Sequence, residues 1–298
     1  MISRLVVIPC LFFASSAQIL HLTGKISGFD YKTKKGFYAE VFLNIPYASA
    51  PLGELRFEAP SPGFPIMFWV HGGGYESGSA VAYGYKALAD IYIPRDIIVV
   101  TIQYRLGVYG FFSTGDSRMP GNLGLFDMAE ALKFIHANAE KFGGDPSRIT
   151  VCGNSAGSAA AGQLILSPVT RDYIPRSIEM SGSAWASFAQ GVAVANHSLG
   201  LAKVLGCHAN IKECMKQKSV EEIYEGIRKV VSISNELRDP VSCLIINLYD
   251  STMDGIWGLK WTPVIDGEFL QHPEVMTAAA PPKISLVGVT NKEAALIS

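Results

Sequence analysis

The residues of this chain best suited to chemistry are a serine between two glycines and a glycine-rich loop upstream of it. Gly153-Asn-Ser155-Ala-Gly157 has the form G-x-S-x-G and follows the apolar stretch Ile149-Thr-Val-Cys152. An alanine-rich segment, 156 to 166, comes next. A serine between a buried strand and a helix sits on a sharp turn with its hydroxyl presented outward. The helix N-terminus behind it favours developing negative charge. Upstream, His71-Gly-Gly-Gly74 directly follows the apolar run Ile66 to Val70. Glycines let backbone amides approach a reacting carbonyl, and acyl transfer needs such donors for its tetrahedral oxyanion. Each motif alone has a bland reading, a capped helix start and a flexible turn. Their order and placement after strands favour acyl transfer through a covalent serine intermediate. His71 is read as part of its turn rather than as the catalytic base.

The elements that must position these groups are legible from periodicity. Ile66 to His71 and Ile97 to Tyr104 are apolar on both faces and read as buried strands. Met128, Leu132, Ile135, Ala139 and Phe142 recur at helical spacing, and Gly143-Gly144 supplies the stop. Ile149 to Cys152 predicts a strand, and 156 to 166 a helix. Ser219-Val-Glu-Glu222 is a capping box that opens a helix with Ile223, Ile227 and Val230 on one face. Ile284 to Val289 predicts a further buried strand. Strands alternating with helices give an α/β domain with a mostly parallel sheet.

At 298 residues, 49% hydrophobic and with a formal charge of −1, the chain can bury a sizeable core. No Lys/Arg run is present, which argues against a nucleic-acid partner. Met1 to Arg4, the apolar run Leu5 to Phe13 and Ala14-Ser-Ser-Ala17 have the pattern of a secretory leader cleaved after Ala17. Its apolar run is too short to span a bilayer, which takes about 20 residues, and a buried N-terminal strand is the other reading of it. No later segment reads as a transmembrane helix. Residues 1–17 are thus expected to be a signal peptide and 18–298 a single domain in a secreted protein. Secretion permits disulfides, and Cys207 and Cys214, close together in polar surroundings, are the natural pair. Closing so small a loop adds about 2.5 kcal/mol in the chain-entropy picture. Cys152 reads as a buried thiol, Cys10 leaves with the leader, and Cys243 has no evident partner. Asn196-His-Ser198 is a glycosylation sequon.

Several segments in a fixed order resemble the type-B carboxylesterases, a family that includes cholinesterases and gut esterases. They are Phe42-Leu-Asn-Ile-Pro-Tyr-Ala48, Pro51-Leu-Gly-Glu-Leu-Arg-Phe57, Trp69-Val-His-Gly-Gly-Gly74 and Tyr104-Arg-Leu-Gly-Val-Tyr-Gly-Phe111. Pro120-Gly-Asn-Leu-Gly-Leu-Phe-Asp127, Phe142-Gly-Gly-Asp-Pro146, the serine turn and Thr262-Pro-Val-Ile-Asp-Gly-Glu268 continue the series. The resemblance implies an α/β-hydrolase fold and a serine carboxylic-ester hydrolase that needs no metal and no organic cofactor. It implies Ser155 as nucleophile, with Gly73, Gly74 and the N–H of Ala156 as the oxyanion hole. The segment Gly288-Val-Thr-Asn-Lys-Glu-Ala294 places the triad acid at Glu293. Trp257 and Leu259 align loosely with acyl-pocket residues, and a packed core segment is an equally good reading of them. Cys207–Cys214 matches a small family disulfide, and Arg105 with Asp145 a structural salt bridge.

Three departures from the family shape the expectation of function. The family's catalytic histidine lies well downstream of the acid, and none of the six histidines here has that setting. Without its base a serine nucleophile loses turnover on the order of 10⁶-fold. A family stretch with a cysteine-closed loop and a strand is missing after Pro62. Asn154 stands where cholinesterases carry a glutamate, which weakens a choline-ester reading. The expectation is a secreted ester hydrolase that is inert or nearly so as this chain. The alternative is a non-catalytic, cholinesterase-like adhesion protein.

Overall fold

The computed structural model describes residues 2–7, 29–42, 63–236 and 259–291. Eight strands form one sheet: β1 Ile2–Val7, β2 Phe29–Lys32, β3 Tyr38–Phe42, β4 Phe64–Val70, β5 Ile98–Thr101, β6 Gly144–Asn154, β7 Arg176–Met180 and β8 Ile284–Gly288. Their spatial order is β2-β3-β1-β5-β4-β6-β7-β8. All neighbours are parallel except the β2–β3 hairpin. Helices α1 Lys86–Tyr92, α2 Gly107–Phe111, α3 Leu123–Asn138, α4 Ala156–Leu166, α5 Val194–Val204, α6 Ile211–Lys216, α7 Val220–Glu236 and α8 Pro273–Ala279 connect or cover them. This is the mostly parallel, helix-flanked sheet that the alternating pattern predicts, and it is consistent with the α/β-hydrolase fold.

Alternation along the central strands divides the core. Ile66, Phe68 and Val70 of β4, with Ile98 and Val100 of β5, pack into one large cluster with Leu125, Met128 and Leu132 of α3 and Ala160 and Leu164 of α4. Val99 and Met67 point the other way, toward Ala89 of α1, Ile93 and Val41. A sheet buried on both faces explains why the central strands read as unbroken apolar runs. The second of those runs is shorter than expected. Beyond Thr101 the chain leaves the sheet, and Gln103, Tyr104 and Arg105 become loop residues that hold other segments.

Local signals predict local structure well. Gly143 ends the helical stretch in the left-handed region, at φ 74°. Ser219 and Glu222 bond reciprocally at the start of α7 (3.1 and 2.8 Å). Cys207 and Cys214 form the disulfide. Cys152 is a buried free thiol that burial pushes up to about 12, so it is not ionised at neutral pH. Cys10 and Cys243 lie outside the described residues.

Three expectations need correction or comment. Ile284 to Val289 was expected to be buried, yet all five residues of β8 are exposed. It is the last strand of the sheet, and no described element covers either of its faces. Arg105 forks onto Asp127 (2.8 and 2.7 Å) rather than onto Asp145. Asp127 lies in the first turns of α3, directly under the Arg105 loop, whereas Asp145 accepts from the Ser147 amide and hydroxyl. Finally, Ile2–Val7 of the expected leader pairs with β3 on one side and β5 on the other. Strand and cleaved leader are alternative fates for the same residues.

That position yields a prediction. Removal of residues 1–17 deprives β3 of its inner partner but leaves every hydrogen bond of β4, β6 and β7 in place. Hydrogen exchange of Tyr38–Phe42 is expected to rise by about tenfold or more in a chain beginning at Gln18, with β4, β6 and β7 unchanged. Unaltered protection at Tyr38–Phe42 would contradict the bridging role of β1.

Candidate active site

Ser155 sits between the end of β6 and the start of α4, with φ 56° and ψ −125°. That backbone region is sparsely populated for a residue with a side chain and costs of order 1–3 kcal/mol. Surrounding contacts fix it. The Ser155 amide donates to the Met180 carbonyl at the end of β7 (2.9 Å), and its carbonyl accepts from Ala159 (3.0 Å). The two glycines are required by space. A Cβ on Gly153 would lie 2.1 Å from the Gly157 carbonyl oxygen, and one on Gly157 2.2 Å from that of Val70. Gly157 is therefore where α4 crosses the end of β4. A Cβ on Gly72 would lie 3.2 Å from the Ser155 Cβ, so the glycine loop packs directly on the serine.

The loop after β4 is held open. Gly73 and Gly74 have φ of 118° and 64°, and the Gly73 carbonyl accepts from the amides of Glu76 and Ser77. The N–H groups of Gly73, Gly74 and Ala156 have no acceptor among the described residues. Backbone donors are almost always satisfied where water is excluded. Gly73 is exposed and Gly74 half-exposed, and the three donors lie on segments adjoining the uncapped, half-exposed serine, the arrangement an oxyanion-binding reading requires.

The Ser155 side chain has no hydrogen-bond partner among the described residues. His71 begins the glycine loop that packs on the serine, and its ring is held by other contacts. Its ring stacks on Tyr104 with centroids 4.5 Å apart, and its Nδ1 donates to the Gly72 carbonyl (2.9 Å). Nε2 is enclosed without a partner, and burial lowers the ring's pKa, so it is neutral at pH 7. The Tyr104 hydroxyl donates to the His71 carbonyl (2.8 Å), pinning the turn itself. His136 packs edge-on against Tyr173 at the far end of α3. His197 lies on α5, His208 in the disulfide loop and His272 at the start of α8, while His21 falls outside the described residues.

Glu293 and Trp257 also lie outside the described residues. The strand leading to Glu293 is placed, however. β8 runs parallel to β7, and its Gly288 carbonyl accepts from the Ser181 amide (2.8 Å), one residue past the Met180 that holds Ser155. β8 thus ends at the same sheet edge as Ser155, two strands and roughly 10 Å across. Leu259 meets the glycine loop: a Cβ on Gly74 would lie 2.7 Å from its side chain. Periodicity gave no hint of what holds it there. Glu76 accepts from the amides of Lys260 and Trp261 (2.6 and 2.8 Å) through one carboxylate oxygen. Asn122, buried and at φ 58°, exchanges two bonds with Val264 (2.7 and 2.9 Å). The only available signal was that Asn122 and Val264 both lie in motifs singled out in the sequence. A separate cavity of about 420 Å³, lined by Trp185, Val192, Val264 and Asp266 among others, includes neither the serine turn nor the glycine loop.

Comparison with known proteins gives the chain its family. The profile of the carboxylesterase family matches residues 15–63 and 61–298. The chain belongs to the carboxylesterase family. The break in the match falls at Pro62, where an omitted stretch was expected. Gut esterase 1 of Caenorhabditis elegans is 39% identical over 91% of this chain and 52% of its own length. A carboxylic ester hydrolase of Bombus ignitus is 31% identical over 70% of this chain and 47% of its own, and carboxylesterase 1E of Rattus norvegicus 30% over 72% and 50%. The chain spans about half the length of the curated relatives it matches.

Glycine geometry provides a paired test within this family member. Gly157→Ala drives a Cβ into backbone and is expected to destabilise the protein by about 3 kcal/mol or more. Gly200→Ala on α5, with nothing within 4 Å, is expected to stabilise it by about 0.5–1 kcal/mol. Denaturant midpoints moving together would refute the packing assigned to Gly157.

Proposed function

We propose that this chain carries the nucleophile half of a secreted serine carboxylic-ester hydrolase. Ser155 attacks the ester carbonyl, and the amides of Gly73, Gly74 and Ala156 hold the oxyanion. A histidine takes the serine proton and returns it to the leaving alcohol, and Glu293 orients that histidine. Water then resolves the acyl-enzyme by the same steps. The observation that carries this reading is the set of three unpaired amides beside Ser155 in its strained turn. Leu259, held against Gly74 through Glu76, walls the acyl side and favours an apolar acyl group. No cofactor enters this chemistry.

Secretion through the N-terminal leader and a glycan at Asn196 belong to the same proposal. Asn196 is exposed on the first turn of α5. The hydroxyl of Ser198 is buried and accepts from the Ser113 amide (3.2 Å), so the sugar would have to be attached before α5 packs. Among the described residues no helix is long and apolar enough to cross a membrane.

Among the described residues no imidazole contacts Ser155, and the reading assigns its base to none of the chain's six histidines. The 298-residue chain is expected to hydrolyse short p-nitrophenyl esters no faster than its Ser155→Ala variant, in line with the roughly 10⁶-fold cost of a missing triad histidine. Rapid hydrolysis that disappears in Ser155→Ala would contradict this and point to a base supplied from within the chain.

A further inference from the structure

The cavity of about 420 Å³ lies where three segments meet: the loop after α2, the stretch from Trp185 into the start of α5, and the residues from Pro263 to Leu270. Each wall is tied in place. Ser113 Oγ donates to the Pro120 carbonyl (2.9 Å) and accepts from the Gly115 amide (3.1 Å). The Gln190 side-chain amide donates to the Trp185 carbonyl (2.9 Å), and the Gly191 backbone amide to that of Pro263 (2.7 Å). Val264 is the residue that Asn122 clamps. A held concavity of this size, apolar with a few polar groups, has the form of a small-molecule site.

Its charge is one-sided. Two carboxylates, Asp116 and Asp266, line it, and no lysine, arginine or histidine does. Asp116 is already paired with Arg118 (2.6 Å), whose guanidinium lies outside the lining. Asp266 forms no ion pair among the described residues. The amides of Glu268, Phe269 and Leu270 converge on its Oδ1 (3.1, 2.9 and 2.8 Å), while Oδ2 is enclosed in the wall without a donor. A cation entering the cavity comes within Coulomb range of a carboxylate that no basic side chain offsets, in surroundings less polar than bulk water. Trp185, Val192, Ala195 and Leu270 make much of the remaining wall apolar, and an indole also attracts a cation to its face.

We propose that this cavity is a second ligand site, separate from Ser155, for a small amine with an apolar body. The ammonium lies at the Asp266 end and the body against Trp185, Val192 and Ala195. An anionic ligand of the same shape is repelled, and a neutral one forgoes the charge pairing. The site stands whether or not Ser155 is a nucleophile, since neither the serine turn nor the glycine loop lines it.

The test is calorimetric titration of the full 298-residue chain with phenethylamine, its neutral counterpart 2-phenylethanol and the anion 3-phenylpropionate at neutral pH. The amine is expected to bind once per chain, about tenfold or more tighter than the alcohol, with no binding of the anion. Asp266→Asn keeps Oδ1 for its three amides, and should weaken the amine about tenfold or more while leaving the alcohol within about twofold. Ala195→Phe fills the cavity and should remove binding of both, whereas Ser155→Ala should change neither. In the unaltered chain, saturating amine should slow amide exchange at Glu268–Leu270 by about threefold or more, which locates the site even where a variant fails to fold. Absence of saturable amine binding overturns the proposal. So does an alcohol or anion that binds as tightly as the amine, an amine affinity untouched by a folded Asp266→Asn or Ala195→Phe chain, or unchanged exchange at Glu268–Leu270.

Discussion

The close crossing of α4 over the end of β4, made possible by Gly157, is the contact on which the rest of the site depends. It brings the helix N-terminus within reach of the His71–Gly74 loop and forces Ser155 into its positive-φ turn. The Ala156 amide, like those of Gly73 and Gly74, has no acceptor among the described residues. A side chain at 157 would separate helix from strand and scatter all three donors. The strain at Ser155, of order 1–3 kcal/mol, is sustained because β6 and β7 hold the turn from below through Met180. Preorganised donors of this kind need no rearrangement as charge develops, which is the larger part of their catalytic value.

What the sequence discloses is what spacing along the chain can encode. The G-x-S-x-G turn, the glycine loop, the helix at Ala156–Leu166, the Ser219–Glu222 cap and the Cys207–Cys214 bridge each join residues a few positions apart. The links that hold the site together are of another kind. Glu76 reaches Lys260 across 184 residues, Asn122 reaches Val264 across 142, and Arg105 finds Asp127 rather than Asp145. Nothing in hydrophobic periodicity ranks one carboxylate over another as a partner for an arginine; the loop path beyond Thr101 decides it.

β8 fails the sequence reading for a more instructive reason. Its apolar run correctly identifies a strand that needs cover on both faces, but apolarity states a requirement and not its fulfilment. Leu286 and Val287 accordingly stand exposed, with no described element over either of them. The opposite side of the sheet shows a related tension, because Ile2–Val7 fills a place between β3 and β5 that a cleaved leader would vacate. Between these two margins, β5, β4, β6 and β7 form a self-consistent core that carries the Ser155 turn and the His71–Gly74 loop.

The most direct test of the proposed Ser155 site is chemical rescue. The 298-residue chain would be incubated with an alkyl fluorophosphonate at rising concentrations of imidazole, and the phosphonylated fraction of Ser155 read by peptide mass spectrometry. Labelling should be slow without imidazole, increase with its free-base concentration and remain confined to Ser155. A Ser155 that stays unlabelled at every concentration, or that labels equally fast with no imidazole present, would contradict the proposed role of Ser155.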